Sequence, residues 1–150
     1  MKALKTIVFA LITICTLALT ACATTDKNVS YKEAQHYFVR NDVTDYSPRI
    51  IRSQTELEHY FGMAAVMSND GSGMPTAIDF SRKNAIAIIE QQTNIETDIH
   101  ITSIAKRKDG KMTIRYKVTQ SGTPHSYSFV PFTLVLVDKK YGDDVTFVKE

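Results

Sequence analysis

The chain has 150 residues, 18 basic and 16 acidic, for a formal charge of +2, with two cysteines and no tryptophan. Lys2 and Lys5 account for the excess, because every acidic residue lies from Asp26 onward and the rest of the chain is formally neutral. A neutral chain whose largest basic cluster is Lys106-Arg107-Lys108 lacks the electrostatic footprint that a phosphate backbone requires, so no nucleic-acid partner is expected.

Residues 1–21 have the layout of an export signal: two lysines, an apolar run over residues 7–19, and small residues at the exit. That run is shorter than the roughly 20 residues of a spanning helix, so cleavage between Ala21 and Cys22 is expected rather than a permanent span. Leu19-Thr20-Ala21-Cys22 resembles the lipobox of bacterial lipoproteins. The resemblance implies lipid on the Cys22 thiol, with Cys22 first in the mature chain. It also implies a place in the bacterial cell envelope, and Ala23 rather than aspartate after the cysteine points to the outer membrane, facing the periplasm. Cys15 leaves with the leader, so no intrachain disulfide is expected. Residues 22–33, small and polar at first, are expected to be a flexible tether, and residues 34–150 a single domain.

Within that domain Tyr37, Phe38 and Val39 predict a strand, and Arg49-Ile50-Ile51-Arg52 a second, short one. Ser53 and Glu56 have capping-box spacing, and Leu57, Tyr60, Phe61 and Ala64 share one helical face, so a helix begins here, with Gly62 ending or bending it. Residues 67–75 are the most loop-like stretch. Ala85-Ile86-Ala87-Ile88-Ile89 has no polar alternation, which predicts a strand covered on both faces at the centre of a sheet. Residues 97–105 change parity between Ile101 and Ile104, the mark of a bulge. After the Asp109-Gly110 turn, Met112, Ile114, Tyr116 and Val118 alternate with polar residues, completing a hairpin. Residues 126–130, 132–137 and 145–148 predict three further strands. The fold class is α+β: a twisted, mostly antiparallel sheet of six to seven strands curled around one helix.

No spacing of a metalloprotease, a nucleophile elbow, a paired-cysteine metal site or a phosphate loop is present, so no cofactor, no metal site and no catalytic residue is assigned. His36, His59, His100 and His125 are scattered and read as surface or strand-face residues. Met63, Met67 and Met74 are expected to plug the core where the helix meets the sheet; the alternative is an adaptable contact surface. Phe129 is expected in the core.

The segment from Ile78-Asp79-Phe80 through residues 84–89 to Ser128-Phe129-Val130-Pro131-Phe132 and on to Val137 resembles the C-terminal domain of the PrcB protease-complex subunits. Glu96-Thr97-Asp98 stands where that family commonly has Gly-Gly-Tyr. The resemblance implies a non-catalytic subunit that binds and stabilises an exported protease. The expected function is therefore a non-enzymatic, membrane-anchored protein-binding module. Its contact residues would come from two loops and a strand: Met67, Asn69, Asp70 and Met74; Asn94; and Tyr127. Two alternatives are a small-ligand carrier (peptide, sugar or lipid) with a cavity lined by Tyr116 and Tyr127, and, less favoured, a hydrolase.

Overall fold

The computed structural model describes residues 26–67, 70 and 72–150. The leader, the Ala21/Cys22 cleavage pair with its lipid site, and Asn69 lie outside the described residues. The strands in chain order are β1 Lys27–Asn28, β2 Lys32–Glu33, β3 Tyr37–Val39, β4 Arg49–Ile51, β5 Phe61–Met63, β6 Lys83–Ile89, β7 Glu96–Lys106, β8 Met112–Ser121, β9 Phe132–Asp138 and β10 Val145–Lys149. One α-helix, α1 (Gln54–Tyr60), lies between β4 and β5, and a 3₁₀ turn (Lys139–Tyr141) follows β9. Among the described residues no helix is long and apolar enough to cross a membrane.

Among the described residues the fold is mostly β with one α-helix, broadly α+β. The strands do not form one curled sheet of six or seven strands. They form two sheets of four, ordered β1-β7-β8-β10 and β2-β9-β6-β4, and a β3-β5 ribbon. The split occurs after β6, where residues 90–95 leave the sheet to bond with residues 125–131, so β7 starts a second layer. The β2-β9-β6-β4 sheet is antiparallel throughout. In the other sheet β10 runs parallel to β8, because the chain crosses between layers after β9 instead of making a hairpin.

The inner sheet is buried on both faces, which is why β6 has no polar alternation. Ile86 and Ile88 project toward the outer sheet and pack with Ile101, Ile104, Met112 and Ile114. Ala85, Ala87 and Ile89 project the other way, into a second core with Ile51, Leu57, Phe61 and Val39. Small alanines on that side leave room for the helix to approach. The outer sheet has one buried and one wet face, so β8 alternates cleanly and β7 alternates on either side of its bulge at Ile101/Ser103. Gly110 turns the hairpin at φ +88°, a conformation that costs glycine little.

Ser53 caps α1 by accepting from the Glu56 N–H at 3.1 Å, while the Glu56 carboxylate accepts from the Arg52 N–H at 2.8 Å. The helix stops at Tyr60, earlier than its apolar spacing predicts, and Gly62 does not end it. Gly62 pairs with Phe38 in the ribbon, where a Cβ would lie 2.3 Å from the Phe38 ring tip. The expected tether is also shorter than residues 22–33: Lys27–Asn28 pairs with β7, Lys32–Glu33 with β9, and Val29 is buried between them.

Residues 126–130 do not form a strand. Thr93 and Phe129 exchange two backbone hydrogen bonds, but the next bond outward is His125 N–H to the Asn94 carbonyl. One step on the first segment thus faces four on the second, and Ser126, Tyr127 and Ser128 are squeezed out of the ladder.

Two substitutions test the inner sheet by denaturant unfolding. Ile88→Ala is expected to lose about 2–5 kcal/mol, because the layer above cannot collapse onto the vacated space. Asn84 is buried and its Oδ1 has no partner among the described residues, so Asn84→Val should leave stability unchanged or raise it by up to about 1 kcal/mol. A loss from Asn84→Val as large as that from Ile88→Ala would contradict this packing.

Candidate functional site

Two groups of surface residues stand out. The first starts at Met63, the last residue of β5, and continues into the segment after it. Met63, Val66, Met67 and Met74 are 66 %, 59 %, 102 % and 63 % exposed. The methionines therefore do not plug the core, because the Leu57 and Phe61 side chains already fill the space where helix meets sheet. A backbone hydrogen bond from Val66 N–H to the Gly73 carbonyl closes the segment on itself and brings Met67 and Met74 to the same end of the ribbon. Asp70 stands in this turn, its carboxylate accepting from the Ser72 N–H at 3.0 Å. That bond gives Asp70 a turn-forming role.

The second group sits where the ladder beyond β6 and β9 bulges. Asn94 holds the bulge from both ends of one residue: its carbonyl accepts from the His125 N–H at 2.7 Å, and its side-chain amide reaches the His125 carbonyl at 3.4 Å. The His125 ring stacks on Tyr127 at 4.9 Å, and Phe129 lies against both. Tyr127 is 60 % exposed as a result. The structure thus brings Asn94 and Tyr127 together, and Met67 and Met74 together, on different parts of the fold.

His125 also lies beside a carboxylate. Its Nε2 lies 3.4 Å from Glu96 Oε2, near enough for charge attraction once the ring is protonated but out of line for a hydrogen bond. No serine hydroxyl is hydrogen-bonded to an imidazole among the described residues, although Ser126 is adjacent in sequence. Nor do the described residues contain a group of three metal-ligating side chains. Tyr116 is buried in the core between the sheets, whereas Tyr127 is exposed.

A groove that the sequence did not reveal runs from Phe129 to the ribbon. It has a volume of about 440 Å³ and a mixed lining in which Phe38, Val43, Phe129 and Phe132 stand beside the polar Arg40 and Gln92. Phe129 is half-buried as one wall of it instead of lying in the core. Phe38 reaches the groove because Gly62 leaves its ring room to lie across the ribbon. No sequence signal marks this convergence, since its walls come from segments some 90 residues apart.

Arg49 fixes the loop that carries Tyr46. Its guanidinium lies 4.0 Å from the Tyr60 ring centroid and donates to the Asp45 and Ser47 carbonyls at 2.8 and 3.0 Å. The Asp45 carboxylate accepts from the Ser47 N–H and pairs with Arg49 at 3.1 Å. The Ser47 hydrogen bond first, and Arg49 after it, pull the Asp45 carboxyl from 3.8 down to about 2. Asp79 in the Asp-Phe pair is lowered too, by hydrogen bonds from Ser81 that form the turn into β6.

Comparison with known proteins returned no match: no family model, curated protein or solved structure is significantly similar to this chain.

Because the folded carboxyl of Asp45 is depressed, its contribution to the loop is fully present above the ordinary aspartate value and is lost as the pH falls through about 2. A carboxyl-carbon NMR titration is expected to give Asp45 a midpoint near 2, and Arg49→Ala should move that midpoint upward. A midpoint at the ordinary 3.8 would show that the loop is not held this way.

Proposed function

We propose that the protein is a lipid-anchored, non-enzymatic binding module of the bacterial cell envelope. Lipid on Cys22 holds it to the outer membrane, facing the periplasm, and its partner is a protein. The resemblance of residues 78–137 to the PrcB C-terminal domain makes an exported protease the first partner to test.

The observation that carries this reading is the exposure of Met63, Val66, Met67 and Met74, four unbranched or small apolar side chains at the end of β5 and in the segment after it. Apolar side chains in solvent gain about 25 cal/mol for each Å² they bury, and methionine adapts its shape to whatever covers it. We assign no catalytic role; among the described residues His125 and Glu96 meet with no hydroxyl hydrogen-bonded to the imidazole. A second reading has its own observation. The Phe38–Phe129 groove is within the usual size range of small-molecule sites, so an apolar peptide side chain or lipid fragment fits there.

The anchor is tested by Cys22→Ser, which should release the protein from the membrane fraction and abolish labelled fatty-acid uptake; unchanged fractionation would contradict it. Binding is tested by affinity purification of the anchored protein from solubilised envelopes. A triple change of Met63, Met67 and Met74 to serine is expected to cut recovery of a stoichiometric partner roughly tenfold, the equivalent of about 1.4 kcal/mol. If recovery is unchanged but falls with Phe38→Ala, the groove is the site instead.

A further inference from the structure

The end of the outer sheet where the chain enters the domain is unevenly charged. Lys27 of β1 lies directly opposite Lys106 of β7, a like-charge pairing that the sheet itself disfavours. Lys108, two residues on, is exposed in the hairpin turn. Among the described residues none of these three lysines has a carboxylate within ion-pair distance, whereas Arg107, Lys111 and Arg115 are paired with Asp109, Asp144 and Glu150 at 3.8, 3.5 and 3.8 Å. Three uncompensated cations are thus gathered at one end of a chain that is neutral from Cys22 onward.

A depression of about 390 Å³ opens at the same end on the wet face, with Lys108 in its lining, while Lys27 and Lys106 stand at the sheet's end with the parity of the buried Met112. Small side chains, Ser103, Ala105 and Thr113, line it together with Arg107, Lys108 and Arg115 and with two carboxylates, Asp26 and Asp109. The Lys108 ammonium and the Ser103 and Thr113 hydroxyls suit the phosphate oxygens of a lipid headgroup, whereas the Arg107 and Arg115 guanidiniums are already paired with Asp109 and Glu150. Asp26 is four peptide units from Cys22, and four units span at most about 14 Å when fully extended. Any lipid on Cys22 therefore keeps these lysines within roughly one to two Debye lengths of the membrane surface. The far end of β7, at Glu96, is about 33 Å further on and carries Glu96 and Asp98 on the same wet face.

We infer that this basic end of the outer sheet, Lys27, Lys106 and Lys108 with the depression at the same end, docks on the headgroups of anionic phospholipids. The inference rests on the lipid anchor proposed above. Docking neutralises the Lys27/Lys106 repulsion and orients the domain, with the acidic end of β7 and the neighbouring Asn94/Tyr127 bulge turned away from the membrane. Each uncompensated lysine at an anionic surface contributes about fivefold to the docked population.

The test uses the full lipidated chain reconstituted in vesicles that contain a nitroxide-headgroup lipid. A fluorophore is placed at Thr146→Cys, which faces the same wet side as Thr113, and in a second preparation at Gln120→Cys near the far end. In phosphatidylglycerol vesicles the Thr146 label is expected to be quenched and the Gln120 label not. Quenching at Thr146 should fall at least fivefold in phosphatidylcholine vesicles and in a Lys106→Glu/Lys108→Glu variant, and should survive inorganic phosphate at the headgroup concentration. An anchored chain whose quenching ignores lipid charge or the variant, or is abolished by inorganic phosphate, overturns docking and leaves the anchor intact. A chain that does not stay with the vesicles removes the anchor, and this inference with it.

Discussion

Burial of one sheet on both faces is the constraint on which the rest of the structure depends. β6 and β9 contribute Ile86, Ile88, Val135 and Val137 to one core and Ala85, Ala87, Ile89, Leu134 and Leu136 to the other. A strand with two apolar faces is unstable until both are covered, so the outer sheet on one side and α1 with the β3-β5 ribbon on the other are required together. This double burial stabilises the fold by roughly 1.5–3 kcal/mol for each large side chain fully removed from water.

The same constraint generates the surface features. The β6-β9 ladder cannot continue indefinitely: Pro131 lacks an N–H, and beyond it three residues loop out between the bonds of Phe129 and His125. Tyr127 is exposed and Phe129 becomes a groove wall because of that loop. On the opposite edge, Arg49 of β4 holds the Asp45–Ser47 turn and so places Tyr46 across the groove from Phe129. The methionine segment lies beyond the ribbon, after Phe61 has filled the last space in the second core. Rigid sheet edges thus position irregular, partly apolar segments, which is the usual arrangement for recognition.

Much of the fold was legible because local pattern and tertiary environment agree. The Ser53 cap, the doubly buried β6, the β7 bulge inferred from a parity change, and the hairpin at Gly110 were all readable from side-chain periodicity and turn chemistry. What periodicity does not encode was missed. Two-residue strands such as Lys27–Asn28 are held by backbone bonds and have no pattern to show. The division into two sheets and the parallel β10 are decided by where the chain crosses between layers. The methionines looked like core because of their chemistry, yet their exposure depends on Leu57 and Phe61 having occupied that volume first. In the candidate site, the Asn94 loop was identifiable from composition, but Tyr127 was read as part of a strand, and their meeting at His125 was not legible because the bulge that joins them depends on pairing across 31 residues.

The most direct measurement of the central claim is native-state hydrogen exchange on the anchored protein. If the inner sheet ties both outer layers into one unit, the amides of Ile86, Ile88, Leu134 and Val135 share the highest protection and exchange only by global unfolding, at a common free energy that matches denaturant unfolding. Separate, lower protection for β6 and β9, with the β7-β8 hairpin surviving as its own more stable unit, would contradict the account.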